Sequence, residues 1–260
     1  MSLILYRLHY FWCVLWAAII TVVCSVFFLV TRLFWRSPES FRFWGKIWAG
    51  VICLGAGFRV TTSGMKDLET DRSYVFVANH QNSLDIPIML LAVPVAFGFV
   101  AKASVERMPF IGRAVASSPS VFVDTQNPRR SLESIRIAAD QIAKGASVLV
   151  FPEGQRSWSG QVGKFKRSAF TLATEAGVEI VPLALLNAHM IFDERRYLSR
   201  PGTIHVSALE ALEPVPDERA SIDELSAEAR SRIISVLSTD QRVGPAIADR
   251  FPGTPRDPDI

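Results

Sequence analysis

The stretch YVFVANHQNSLDIPIMLL, residues 74–91, decides how the chain is read. Its first five residues, 74–78, are an apolar run of strand composition, and residues 86–91 read as a helix with Ser83 as a cap and Pro87 in its first turn. Between the two stand Asn79, His80 and Asp85. In a regular helix His80 and Asp85 would lie about 140° apart, five residues at roughly 100° each, and would not meet. In a strand-to-helix loop the chain turns back, so the carboxylate can hold one imidazole nitrogen and leave the other free as a base. On spacing alone, a loop histidine beside a helix-capping aspartate remains the alternative.

The same strand-then-helix alternation continues outward. Residues 96–101, 121–124, 147–151, 180–186 and 203–208 read as strands, and 131–144 and 168–175 as helices. The helix at 131–144 places Leu132, Ile135, Ile137, Ala138 and Ile142 near one face, and Gly145 follows as its stop. Such alternation predicts an α/β fold with a mixed, largely parallel sheet flanked by helices. Beyond residue 213, a linker at 214–217 leads to an amphipathic helix at 221–237, which Ser221 and Glu224 open as a capping box. The tail at 244–260, with four prolines, is expected to fray.

The N-terminal end is different in kind. Residues 8–31 contain no Asp, Glu, Lys or Arg. As a helix these 24 residues are about 36 Å long, enough to cross a hydrocarbon core of about 30 Å. A signal peptide fits poorly, because the apolar run is too long and has no small-residue cleavage site. Tyr6, Tyr10, Trp12 and Trp35 resemble interfacial anchors, and Arg32, Arg36, Arg42 and Lys46 follow the run against Arg7 alone before it. That bias places the rest of the chain in the cytoplasm. A second apolar stretch, 47–58, is too short to span and holds three glycines. The reading preferred is a membrane span, with a hairpin of the two stretches in one leaflet as the alternative. The expected organisation is therefore a membrane-anchoring segment at 1–60, a catalytic domain at 61–213 and a C-terminal helix and tail at 214–260.

Charge supports that division. The net charge is +3 overall, but residues 1–60 carry six Lys/Arg against one Asp/Glu and residues 201–260 carry six against eleven. A basic, apolar end points to a membrane or another anionic partner, not to a uniformly basic nucleic-acid surface. Cys13, Cys24 and Cys53 all lie in apolar stretches without metal-type spacing and read as small buried hydrophobes. Gly55-Ala56-Gly57 lacks the third glycine of a dinucleotide fingerprint. His9 and His205 read as structural, whereas His189, just beyond the strand at 180–186, is a candidate to line a site.

A second cluster, Phe151-Pro152-Glu153-Gly154-Gln155-Arg156-Ser157, comes directly after the strand at 147–151. Gly154 allows close backbone approach, and Arg156 offers a planar fork of donors suited to phosphate. Together the two clusters resemble the glycerolipid acyltransferases of the 1-acylglycerol-3-phosphate acyltransferase type. Asn79, His80 and Asp85 match the family's N-H-x-x-x-x-D motif, and Phe151, Pro152, Glu153, Gly154, Arg156 and Ser157 match F-P-E-G-x-R-S. Lys102, Pro109 and Gly112, the stretch 165–173, and residues 181–185 are similar to three further elements in family order. Thr125 stands where the family usually has an arginine thought to help hold the acceptor's phosphate, leaving that task to Arg129, Arg130 or an acceptor without that phosphate.

The resemblance implies a membrane-bound enzyme that transfers an acyl group from acyl-CoA or acyl carrier protein to the sn-2 hydroxyl of 1-acylglycerol-3-phosphate. His80 would be the general base, oriented by Asp85, with Asn79, Lys102, Glu153, Gly154, Arg156 and Ser157 as substrate-binding residues. No metal or cofactor is implied. The expected partners are the lysophospholipid acceptor, the acyl donor and the bilayer, with the catalytic domain on the cytoplasmic face, at the inner membrane in a bacterium. Another lysolipid acceptor, such as lyso-ornithine lipid, and a non-catalytic lipid-binding protein are the competing readings. A serine hydrolase using Ser83 or Ser159 has no G-x-S-x-G elbow to support it.

Overall fold

The computed structural model describes residues 2–124, 128–214, 219–239 and 251 of the 260, without the side chains of Pro38, 128–132, 219 and 220. Two N-terminal helices, α1 (Leu3–Thr31) and α2 (Pro38–Gly55), run into β1 (Phe58–Ser63). Then follow β2 (Val75–Ala78), α3 (Asp85–Ala92), β3 (Gly98–Lys102), α4 (Ala103–Glu106), α5 (Ile111–Ala116), β4 (Val121–Val123), α6 (Pro128–Ala143) and β5 (Val148–Val150). The rest comprises α7 (Ser168–Ala176), β6 (Ile180–Leu186), α8 (Ala188–Ile191), a two-stranded hairpin of β7 (Phe192–Asp193) and β8 (Leu198–Ser199), β9 (Gly202–Ala208) and α9 (Arg219–Thr239).

Seven strands form one sheet in the order β1-β9-β6-β2-β5-β3-β4. Every neighbouring pair is parallel except β6 with β9, so the sheet is mixed and largely parallel, as the alternation predicts. Its central strands are buried on both faces, which is why β2, β5 and β6 read as continuous apolar runs. On one face Phe76, Leu183 and Ile204 pack with Ile88 and Met89 of α3 and Ala49 and Cys53 of α2. On the other, Val75, Val148 and Ala184 pack with Ile142 of α6, Phe170 of α7 and Ala229 and Ile233 of α9. The chain therefore leaves β2, β3, β5 and β6 on a common edge of the sheet, the usual place for a site in such folds.

Several sequence expectations need correction. The boundary at residue 60 falls inside β1, which pairs with β9 from Phe58↔Gly202 to Ser63↔Ser207, so the sheet claims residues assigned to the anchor. An edge strand with mixed exposure has no clear alternation to betray it. Residues 214–260 are no simple appendage either: Leu225, Ala229 and Ile233 of α9 are part of the core. Helix α9 begins at Arg219, so Ser221 lies within it and is buried instead of capping it. Ile137 is 51% exposed while Ile135, Ala138 and Ile142 face the sheet, because 137 falls on the opposite side of a 3.6-residue period; Leu132's side chain lies outside the described residues. Of the tail, only Phe251 is described, and it is buried with its ring edge-on to Tyr6.

Helix α1 has two faces. Tyr6, Tyr10, Cys13, Cys24 and Phe28 are buried, while Leu8, Phe11, Leu15, Ile19, Val22, Val26 and Val30 form an exposed apolar stripe at helical spacing. From Trp12 to Phe28 the helix lies antiparallel along α2. Trp12 and Trp16 donate their indole N–H groups to the carbonyls of Gly55 and Val51 (2.8 and 2.9 Å), Trp48 donates to Thr21 Oγ1 (2.9 Å), and Phe27 stacks on Trp44. Gly55 is required here, since a Cβ would come within 2.1 Å of the Trp16 indole nitrogen. Both helices are fastened to the α/β unit: α2 packs on α3, and the first turns of α1 meet β8, where His9 Nδ1 lies 3.0 Å from Ser199 Oγ.

Candidate active site

The two motif loops leave adjacent parallel strands, β2 and β5, and are joined by their backbones. Ser157 N–H donates to the His80 carbonyl (2.8 Å) and Trp158 N–H to that of Gln81 (3.1 Å). The loop after β2 turns back on itself because Asp85, the first residue of α3, accepts from the backbone N–H groups of Gln81 (2.5 Å) and Asn82 (3.1 Å) with the same oxygen, Oδ2, that takes His80 Nδ1–H at 2.6 Å. The pairing allowed but not required by the spacing is thus formed. The carboxylate fixes the imidazole tautomer, and Nε2 has no polar partner among the described residues, as a general base requires. His80 also stacks on Phe151, with ring centroids 4.1 Å apart and planes 16° from parallel.

Asp85 is completely buried, and burial raises its pKa; the His80 bond and the two backbone N–H groups oppose that rise. Its Oδ1 has no hydrogen-bond partner among the described residues. Ser83 does not cap α3. Its hydroxyl and N–H both donate to Glu194 Oε1, the N–H at 3.1 Å.

Two expected substrate ligands have other work. Asn79 is 1% exposed, with its amide N–H donating to the Leu185 carbonyl (3.0 Å) and its Oδ1 accepting from Leu185 N–H (2.8 Å), so it ties the end of β2 to β6 instead of reaching a ligand. Glu153 is buried, and each oxygen accepts one backbone N–H: Oε1 from His80 and Oε2 from Gly163, both at 2.8 Å. Burial raises its pKa against those two bonds. Glu153 therefore fixes the backbone of the base and has no free oxygen facing an acceptor.

Gly154 takes φ +72°, and a Cβ there would lie 2.4 Å from Lys166 Nζ, so the turn depends on glycine and brings a lysine against it. Arg156 reaches outward, paired with Glu194 Oε2 at 2.8 Å and lying 4.2 Å from the Trp158 ring centre. Lys102, at the end of β3, is exposed and has no polar partner among the described residues. Ser157 is held through its backbone. Thr125 is outside the described residues, as are the side chains of Arg129 and Arg130.

Behind the base, Gln81 is buried, its amide donating to the Leu185 carbonyl (2.8 Å) and its Oε1 lying 2.9 Å from both N and Nδ1 of His189. His189 is buried and supports the residue after the base. Sequence reasoning missed Phe151 as the platform for His80, although its place after β5 was a usable signal. It also missed Glu194, 38 residues beyond Arg156 on a short hairpin with no motif. A cavity of about 440 Å³ between α2, α3 and β1, lined by Cys53, Leu54, Phe58 and Val60 among others, includes no residue of the two motifs.

Comparison with known proteins agrees with the geometry. The Acyltransferase family profile matches residues 59–186. The chloroplastic 1-acyl-sn-glycerol-3-phosphate acyltransferase LPAT1 of Arabidopsis thaliana is 32% identical over 193 residues, covering 74% of this chain and 52% of that protein. The human 1-acyl-sn-glycerol-3-phosphate acyltransferase alpha is 32% identical over 197 residues, covering 72% of this chain and 68% of its own. The chain thus spans about half the length of the plant relative and two thirds of the human one. The crystal structure of the 1-acyl-sn-glycerophosphate (LPA) acyltransferase PlsC from Thermotoga maritima shares the fold, with a TM-score of 0.77 at 23% identity over 92% of this chain and 98% of that one.

Proposed function

The chain belongs to the acyltransferase family, and from that membership we propose that it acylates the sn-2 hydroxyl of 1-acylglycerol-3-phosphate with acyl-CoA or acyl carrier protein as donor, giving phosphatidic acid. The observation that carries the reading is the His80–Asp85 pair at 2.6 Å with Nε2 unengaged among the described residues. As the acceptor hydroxyl attacks the thioester carbonyl, Nε2 takes its proton, and Asp85 stabilises the imidazolium. The tetrahedral intermediate then expels the thiolate, which takes the proton back from His80. A thiolate is a good enough leaving group to depart without a strong acid, so a direct transfer needs no covalent enzyme intermediate, metal or cofactor. Arg156 and Lys102 supply the cationic groups for the acceptor's phosphate.

The acceptor's acyl tail explains the apolar helix pair. We read α1 and α2 as a hairpin lying in one leaflet, in place of the span preferred from sequence. A helix held to α2 from Trp12 to Phe28, with α2 packed on α3, cannot cross the bilayer without drawing Arg42, Lys46 and the edge of the α/β unit into it. The basic flank Arg32, Arg36, Arg42 and Lys46 favours the cytoplasmic face.

Purified protein in detergent, given lysophosphatidate and a labelled acyl donor, should form phosphatidic acid, and His80→Ala should abolish the product while leaving the melting curve intact. No phosphatidic acid from the native chain sinks the proposal. Undiminished turnover by His80→Ala removes His80 from the mechanism. Thr125 in place of the family's arginine favours a second reading, in which another lysolipid such as lyso-ornithine lipid is the acceptor. An acceptor panel with one donor separates the two, and equal or better turnover of a phosphate-free acceptor reverses the order.

A further inference from the structure

Glu194 belongs to neither motif yet touches both. It lies in the turn between β7 and β8, its side chain 13% exposed. One oxygen accepts from the N–H and hydroxyl of Ser83, within the loop that carries His80 and Asp85. The other accepts from Arg156 Nη1 in the second loop. The Arg156 guanidinium is thus fixed on one edge by a carboxylate and on one face by the Trp158 ring, while its other N–H groups have no partner among the described residues. Trp158 is held at φ +60°, a conformation a bulky side chain seldom takes, so the backbone is bent to keep the indole there.

The hairpin is itself clamped from the membrane side. Tyr10 of α1 stacks on Phe192 at 5.0 Å, and Phe11 stacks on Tyr197 at 6.3 Å, on either side of Glu194 in sequence. A largely covered carboxylate on such a support cannot follow a wandering arginine; it sets where the arginine stays. Its burial raises its pKa against the opposing pull of Arg156 and the Ser83 N–H, and Asp85 raises it further.

We propose that Glu194 is a positioning residue for Arg156, bracing it against the His80 loop through Ser83 so that the acceptor's anionic head group meets an arginine whose conformational freedom is already spent. This rests on Arg156 being the head-group ligand. The brace leaves its mark on acceptor binding and not on proton transfer, because Glu194 contacts neither His80 nor the attacking hydroxyl.

The test is the kinetics of the full chain in detergent with lysophosphatidate as the varied substrate. Glu194→Ala should raise KM roughly tenfold, the scale of a misplaced charge-assisted contact, with kcat within about twofold of the native value. Glu194→Gln, whose amide oxygen can still accept from Arg156 while its NH2 donates to the Ser83 hydroxyl, loses the bond from the Ser83 N–H but should recover most of the KM loss, because the Arg156 contact is kept. If the alanine variant fails to fold, the glutamine variant alone decides, with an expected rise of about threefold. An unchanged or lower KM overturns the proposal, since a carboxylate that mainly repelled the anion would improve binding when removed. A fall in kcat at constant KM overturns it as well. Arg156→Ala distinguishes the levels: if its KM equals the native value, the head-group role of Arg156 fails and the brace with it. A normal Arg156→Ala defect beside an indifferent Glu194→Ala sinks the brace alone.

Discussion

Replacing Glu153 separates two roles that the motif alone cannot. Its two oxygens each accept one buried backbone N–H at 2.8 Å, from His80 and from Gly163. Glu153→Ala leaves both donors without that partner. A hydrogen bond to a charged group contributes about 1.5–3 kcal/mol, so the gross loss is roughly 3–6 kcal/mol. Part is returned because burial already disfavours the ionised carboxyl, as the raised pKa records, and because water can enter the vacated space. A net destabilisation of about 2–4 kcal/mol follows. The functional effect passes through His80, whose backbone is no longer held: displacement of a base by about 1 Å costs on the order of 100-fold. We therefore expect kcat to fall roughly 10- to 100-fold while KM for lysophosphatidate stays within about twofold, measured well below the variant's melting temperature. Glu153→Gln, with one acceptor left, should fall between. A variant with raised KM and native kcat would refute the reasoning and restore Glu153 to the head-group site.

Three further outcomes follow from the same contacts. Asp85→Asn should cost activity by as much as about 10⁴-fold by releasing the tautomer of His80. It should also change the pH dependence of stability. Because the folded-state pKa of Asp85 is raised, the native protein loses stability as pH climbs from about 4 through that raised value, so the variant's melting temperature should gain on the native one over that window; a constant gap contradicts the assignment. Gly55→Ala should destabilise the helix pair by about 1–3 kcal/mol, because the new Cβ meets the Trp16 indole, and an unaltered melting curve would show that α1 does not rest there. Leu8→Lys with Leu15→Lys, on the exposed stripe of α1, should abolish flotation with liposomes without disturbing the buried face; retained flotation would remove α1 from the membrane contact.

The sheet was legible because its central strands are buried on both faces, and 75–78, 148–150 and 180–186 could be nothing else without exposing long apolar runs. Strand β1 was not, since an edge strand need satisfy only one neighbour and tolerates Arg59, Thr61 and Thr62 in solvent. In the site, the residue types were legible and their partners were not. Spacing permitted the His80–Asp85 pair, but the bond needs the loop geometry that Gln81 and Asn82 impose by donating to the same oxygen. Asn79 and Glu153 were assigned to substrate for the chemistry of their side chains. Only the positions of Leu185, His80 and Gly163 reveal that this chemistry is already used.

That pattern has a physical basis. A general base must keep one nitrogen unpaired, and an unpaired group near a buried edge is held still only if everything around it is satisfied. Asp85 and Glu153 fix the ring and backbone of His80, Phe151 covers its face, and His189 supports Gln81, the next residue. Motif residues next to the base thus become its scaffold, and the groups left facing outward are Lys102 and Arg156. Arg156 is in turn braced by Glu194, whose hairpin rests on Tyr10 and Phe11 of α1. Tyr10, which reads as an interfacial anchor, would then do a second job, linking the helix proposed to meet lipid to the arginine proposed to meet the lipid's head group. Truncating α1 should accordingly impair acceptor binding even where detergent supplies the substrate without a bilayer.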